Sequence, residues 1–168
     1  KLSTLVISSL STAQIAGLTA DQIGALSTTQ VSKLSSTQIG AIGTSQIQSL
    51  TTAQAANLTA TQAAGLSAAQ IGKLEAEDLA KLATAVIAGL STAQVAGLAN
   101  LQIADLSTTQ AAALTATQLG ALSTAQLAAM ESADFAKLNT IAIAGLTTTQ
   151  MAALTADQVG AFSTAQLS

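Results

Sequence analysis

Few side chains in this sequence are of types that do chemistry, and those few sit in two groups. Glu75, Glu77 and Asp78 fall within four residues, and Glu131 and Asp134 form a second acidic pair, in a chain with eight acidic residues in all. Clustered carboxylates suit a hard cation such as calcium, which takes several oxygen ligands. No Asp-x-Asp-x-Asp-Gly loop accompanies them. Carboxylates in the first turn of a helix also complement its dipole without any ligand, and Lys81 follows Glu77 by four residues, the favourable pairing order. Glu75, Glu77 and Asp78 are therefore metal candidates behind a structural reading, and no metal or other cofactor is expected. The chain has no His and no Cys, which removes the usual nucleophile–base pairs. The glycines are spread one to an octad rather than gathered into a phosphate loop. No catalytic residue is assigned, and the chain is not expected to be an enzyme.

What positions these residues is a repeat. Leu2, Leu10, Leu18, Leu26 and Leu34 begin a ladder with a period of eight that continues to Phe162, giving 21 octads over residues 1–168, the last cut short. The commonest unit is Leu10-Ser-Thr-Ala-Gln-Ile-Ala-Gly17. A fixed short period marks a stacked repeat architecture. One continuous helix is excluded, because eight residues leave the ladder about 80° out of step at each repeat. A strand is excluded because positions 1 and 6 have opposite parity and would face opposite sides.

One short helix per octad satisfies every position. Position 2 is Ser or Thr in most octads and position 5 is Gln in most. Ser-x-x-Gln is a capping box, in which the hydroxyl accepts from the third helical N–H and the Gln reaches back to the cap's own N–H. Ser11 with Gln14, Thr19 with Gln22 and Ser91 with Gln94 are the clearest cases. Each Gln has a spare amide for a neighbour one turn away. Leu at position 1 and Ile at position 6 form a hydrophobic staple across each helix start, so Leu10, Ile15, Leu18, Ile23 and Leu26 are the expected core ladder. The recurrent glycines (Gly17, Gly24, Gly40, Gly65, Gly72, Gly97, Gly120) read as helix stops. Helices this short are unstable alone and must stack. The expected fold is all-α: a single solenoid domain of short helices, one per octad.

Two places depart from the pattern. Leu74-Glu-Ala-Glu-Asp-Leu-Ala-Lys81 precedes an octad with Ala83 and Val86 at the capping positions, and Met130-Glu-Ser-Ala-Asp-Phe-Ala-Lys137 precedes one with Asn139 and Ala142. In the first pair the helical spacing of Leu79, Leu82, Val86 and Leu90 predicts fusion into one longer helix near 74–89. In the second, Asn139 could still cap but Ala142 has replaced the Gln, and a like fusion is expected near 130–145, with residues 1–9 (Lys1, Leu2 and Val6) as the tail of a third. Counting each fused pair once gives 19 helices, three per turn, about six turns, and all fused helices on one side. In that register Gly17, Gly40, Gly65, Gly97 and Gly120 share the following side.

The net charge of −3 lacks the basic footprint of nucleic-acid binding. Polar residues interrupt every octad, so no run of about 20 apolar residues is available to span a bilayer, and no membrane insertion is expected. The chain opens at Lys1 without Met, as a mature protein or an excised segment would.

The runs Leu10-Ser-Thr-Ala-Gln-Ile15, Leu18-Thr-Ala-Asp-Gln-Ile23 and Leu146-Thr-Thr-Thr-Gln-Met151, punctuated by Glu75-Ala-Glu-Asp-Leu-Ala-Lys-Leu82, resemble the octapeptide arrays of very large bacterial secreted and cell-surface proteins, described as adhesin-like or haem-utilisation-like. The resemblance covers the whole chain and brings no site residues. It implies an extracellular stalk, spacer or self-stacking filament subunit, associating end to end or with neighbouring repeats of a longer chain. A second expectation is a protein- or glycan-binding module that uses the fused helices as a ridge. A third is an ice-binding face of regularly spaced hydroxyls.

Overall fold

The computed structural model describes residues 3–167. Among these, each of the first twenty octads forms one helix of four to six residues, and the last forms a 3₁₀ turn at Thr164–Gln166. Helices are numbered α1 to α20 in octad order, from α1 (Thr4–Ser9) and α2 (Thr12–Ala16) to α20 (Ala156–Gly160). Two extended residues turn the chain between helices. Leu10 lies at φ −65°, ψ 139° and Ser11 at φ −69°, ψ 161°, which ends one helix and caps the next.

The helices stack with a fixed offset of three octads. α5 (Ser36–Gly40) packs on α8 (Ala60–Ala63), and α12 (Thr92–Ala96) on α15 (Ala116–Ala121). Likewise α13 (Asn100–Ala104) packs on α16 (Thr124–Ala129). Three helices therefore make one turn of a three-sided coil. Position 6 points at its axis: Ile15, Ile23, Ile39, Ile47, Ile71 and Ile103 are wholly buried, and the corner leucines from Leu34 onward join them in one continuous core. The only two aromatic residues, Phe135 and Phe162, meet edge to face in the last turns, with ring centroids 5.6 Å apart.

The fused helices do not form. α10 (Ala76–Ala80) and α11 (Thr84–Gly89) are separate, as are α17 (Ser132–Phe135) and α18 (Thr140–Ile143). Ala83 is extended (φ −61°, ψ 147°) although it cannot cap, and Leu82 turns into the core with 3% exposure. Magnitudes explain this outcome. A missing side-chain cap costs about 0.5–2 kcal/mol, whereas withdrawing a core leucine costs about 2–5 kcal/mol. Fusion would also throw every later octad out of its three-per-turn stack. Of the expected third fusion, Lys1 and Leu2 lie outside the described residues, and α1 begins at its own cap, with Ser3 Oγ accepting from Val6 N–H.

With every octad counted singly, the irregular octads at 82 and 138 are seven units apart, which is not a multiple of three. They fall on different sides of the coil, so no ridge is built. Nor do the glycines stop helices by a left-handed turn, since no described glycine has positive φ. Gly17, Gly40, Gly65, Gly89 and Gly160 occupy one side and Gly24, Gly72, Gly97, Gly120 and Gly145 the next. Three pairs face one another a turn apart. A Cβ on Gly40 would lie 2.4 Å from the Gly65 carbonyl oxygen, one on Gly72 2.4 Å from that of Gly97, and one on Gly120 2.7 Å from that of Gly145. Glycine is used here for close backbone approach between turns.

Candidate functional site

The feature the fold builds with most care is a column of glutamine amides. In each regular octad the Gln serves its own helix first. Ser11 Oγ accepts from Gln14 N–H at 3.2 Å while Gln14 Oε1 accepts from Ser11 N–H at 2.8 Å, and Thr19 with Gln22 and Ser91 with Gln94 repeat the geometry. The hydroxyls at position 2 are thus engaged in capping.

From Gln38 onward the Nε2 group also reaches the preceding turn. Gln102 Nε2 donates to the carbonyls of Ile71 (3.0 Å) and Leu74 (2.7 Å), and Gln110 Nε2 to those of Leu79 (3.0 Å) and Leu82 (2.7 Å). One acceptor is always 28 residues back and the other 31 or, for Gln46 and Gln70, 30 residues back, at the corner where one helix ends and the next begins. One amide therefore closes a helix start in its own turn and a helix end in the turn before. Gln102 and Gln110 are 3% and 2% exposed, and the bonds at both ends of the buried amide offset its desolvation. In the first turn, Gln14 and Gln22 are exposed.

The ladder is interrupted where the sequence departs from the repeat. Asp78 and Asp134 stand at the Gln position and point inward, with 2% and 1% exposure. Neither oxygen of Asp134 has a hydrogen-bond partner of good geometry, and Oδ2 of Asp78 has none either. Burial pushes the Asp134 carboxyl up to about 6. The neighbouring Glu131 charge adds to the rise, and the Glu131 backbone N–H opposes it weakly. Burial also raises Asp78, with the Thr52 hydroxyl pulling it down and Glu75 and Glu77 adding to the rise. In the octads that follow, Val86 and Ala142 fill the position with apolar side chains that are also buried.

The acidic groups therefore do not converge. Glu75 and Glu77 are exposed while Asp78 is inside, and among the described residues no three acidic, His or Cys side chains come together in a way that could hold a metal ion. Of the expected core ladder, Ile15 and Ile23 are wholly buried, while Leu10, Leu18 and Leu26 are partly covered at the first turn. The sequence displays the Gln column but not its second acceptor set, because backbone carbonyls have no sequence signature. That Asp78 and Asp134 face inward was legible: both replace Gln in a column whose neighbours on the chain are core residues. No described helix is long and apolar enough to cross a membrane.

A coil of short helices, each clamped to the helix three octads before it, is an α-solenoid, a class whose stability comes from neighbouring repeats. More specifically, the chain belongs to the ALTTAQ repeat family, whose pattern matches residues 1–28, 23–52, 71–108 and 127–164, about three quarters of the chain. The windows 71–108 and 127–164 each contain one Glu-x-x-Asp octad at the same place, three residues from the start. No curated protein and no solved structure is similar enough to match.

Proposed function

We propose that the chain is a non-catalytic structural module, a stalk or spacer on the outside of a bacterial cell, of the kind its resemblance to adhesin-like arrays implies. The observation that carries this reading is the amide ladder. Its donors and acceptors repeat in every regular turn, so one turn is a template for the next and a rod can be extended without new chemistry. Met151 and Val159, at position 6 of the last turns, are 38% and 43% exposed, where their counterparts in inner turns are buried. A further turn, from the same chain or from a second copy, would cover them, and head-to-tail contacts that do not close give filaments. Binding of a protein or glycan along a ridge of longer helices loses its basis, since the irregular octads lie on different sides.

Negative-stain electron microscopy across a concentration series tests this reading. Rods roughly 55–70 Å long are expected, from about seven turns at about 8–10 Å each. Fibres that lengthen with concentration support end-to-end stacking. Rods of one length at every concentration leave the spacer and remove self-assembly. Round particles would overturn the rod itself.

A further inference from the structure

The two aspartates in the ladder are the buried polar groups that the rod, as described, does not use. The register shows what they face. A Gln at position 134 would donate to the carbonyls of Ile103 and Leu106, 31 and 28 residues back, and a Gln at position 78 to those of Ile47 and Leu50, by the register that Gln102 and Gln110 keep. At both places the side chain is instead one methylene shorter and, when ionised, has only acceptors. By that register an ionised carboxylate at either position meets carbonyl oxygens where the amide's donors would be, and both oxygens of Asp134 and Oδ2 of Asp78 are buried without a partner. A proton resolves it, because a protonated carboxyl is a donor and takes over the task of the missing amide.

We propose that Asp78 and Asp134 are proton-operated joints in the solenoid: protonated, each donates its hydroxyl to a carbonyl of the preceding turn, and ionised, it repels those carbonyls and loosens the turn. A resident cation would need more oxygen ligands than one carboxylate and two carbonyls provide, and no second inward-facing acid stands beside either aspartate. The charged groups around Asp134 are Glu131 and Lys137 in its own octad, Asp157 on α20, which packs above it, and exposed Asp105, which sits between Ile103 and Leu106 at the corner below. α14 (Thr108–Ala112), packed below it, carries no charge. Around Asp78 they are Glu75, Glu77 and Lys81 in its own octad. α7 (Thr52–Ala56) and α13, packed against it, are uncharged. The surroundings are therefore mostly acidic, and no cation is placed to hold either carboxylate ionised. The Thr52 hydroxyl is the strongest influence opposing burial at Asp78, whereas at Asp134 only the Glu131 backbone N–H opposes it, and weakly, so Asp134 is the more sensitive joint.

The direction of the pH effect follows by linkage. Asp134 titrates at about 6 in the folded chain and near 4 once exposed. The folded turn therefore holds the proton more tightly than the opened one. Its stabilisation is complete below about pH 4, declines as pH rises to about 6, and is gone above that. If opening exposes the carboxyl fully, a difference of two pH units corresponds to about a 100-fold change in the opening equilibrium.

Two measurements on the full 168-residue chain test this. Carbon-detected NMR of Asp side chains should place the Asp134 midpoint near 6. Amide exchange, corrected for intrinsic rates, should show residues 130–145 opening at least tenfold more often at pH 7.5 than at pH 4.5, while residues 90–129 hold steady. Asp134→Asn, which keeps a donor at every pH, should abolish that difference. A midpoint near 4, as a bridging water and a permanently ionised carboxylate would give, overturns the proposal. So does protection restored at pH 7.5 by calcium and removed by a chelator, which would make the joint a cation site. An unchanged pH dependence in Asp134→Asn overturns it as well.

Discussion

Between Leu90 and Ala129 every octad keeps its Gln, whereas 74–89 and 130–145 carry Asp followed by Val or Ala at that position, and both kinds of region build the same three-sided coil. The difference separates two tasks that the repeat usually performs together. Positions 1 and 6 set the path of the chain, since Leu82 and Leu138 are as buried as Leu106 and Leu122. Position 5 ties one turn to the next, and it can be lost twice in succession without changing the path. The regular stretch is a laced coil, and the interrupted stretches are the same coil with the lacing removed.

The most direct way to break this comparison is to remove a corner leucine from each kind of region. Leu82→Ala and Leu106→Ala should each cost about 2–5 kcal/mol by urea denaturation, as buried leucines do. The two should agree to within about a kilocalorie, the spread that differing local relaxation introduces. A far smaller loss at Leu82 would mean that the interrupted stretch does not hold its corner in the core.

Lacing is tested a step lower in energy. Gln102→Ala removes a cap contact and also orphans a buried corner carbonyl, which costs about 1–3 kcal/mol beyond the cap itself. Gln14→Ala removes the cap alone, about 0.5–2 kcal/mol, because Gln14 is exposed in the first turn. Equal thermal midpoints for the two variants would mean that the inter-turn bonds of the ladder add nothing. Conversely, Asp134→Gln should restore the lacing and raise the midpoint at pH 7.5, where the native carboxyl is ionised.

Much of this was legible in the sequence, for a physical reason. Capping boxes and staples are local, so Ser11, Gln14, Leu10 and Ile15 announce a helix start without reference to the rest of the chain. The three-sided stacking is not local, and the route to it through fused helices was mistaken: the apolar spacing around Leu79, Leu82 and Val86 suits a helix, but Leu82 gains more from the core. The glycines follow the same logic. In sequence, a glycine near a helix end looks like a stop, and only the neighbouring turn reveals that Gly145 is there to let a backbone pass.

That last distinction sets the smallest effects and gives them opposite signs. A Cβ on Gly145 would lie 2.1 Å from the Ala116 carbonyl oxygen, a backbone atom that cannot step aside, so Gly145→Ala should push the two turns apart. Overpacking of this kind costs about 1–3 kcal/mol. Gly160 ends α20 with nothing within 4 Å of the place its Cβ would take. There the substitution only removes glycine's helix penalty, and Gly160→Ala should stabilise by up to about 1 kcal/mol. Thermal unfolding followed by circular dichroism reads both. If Gly145→Ala also stabilises, the glycine pairs are helix residues that happen to be small, and the close approach of the turns is a consequence of the fold rather than a condition for it.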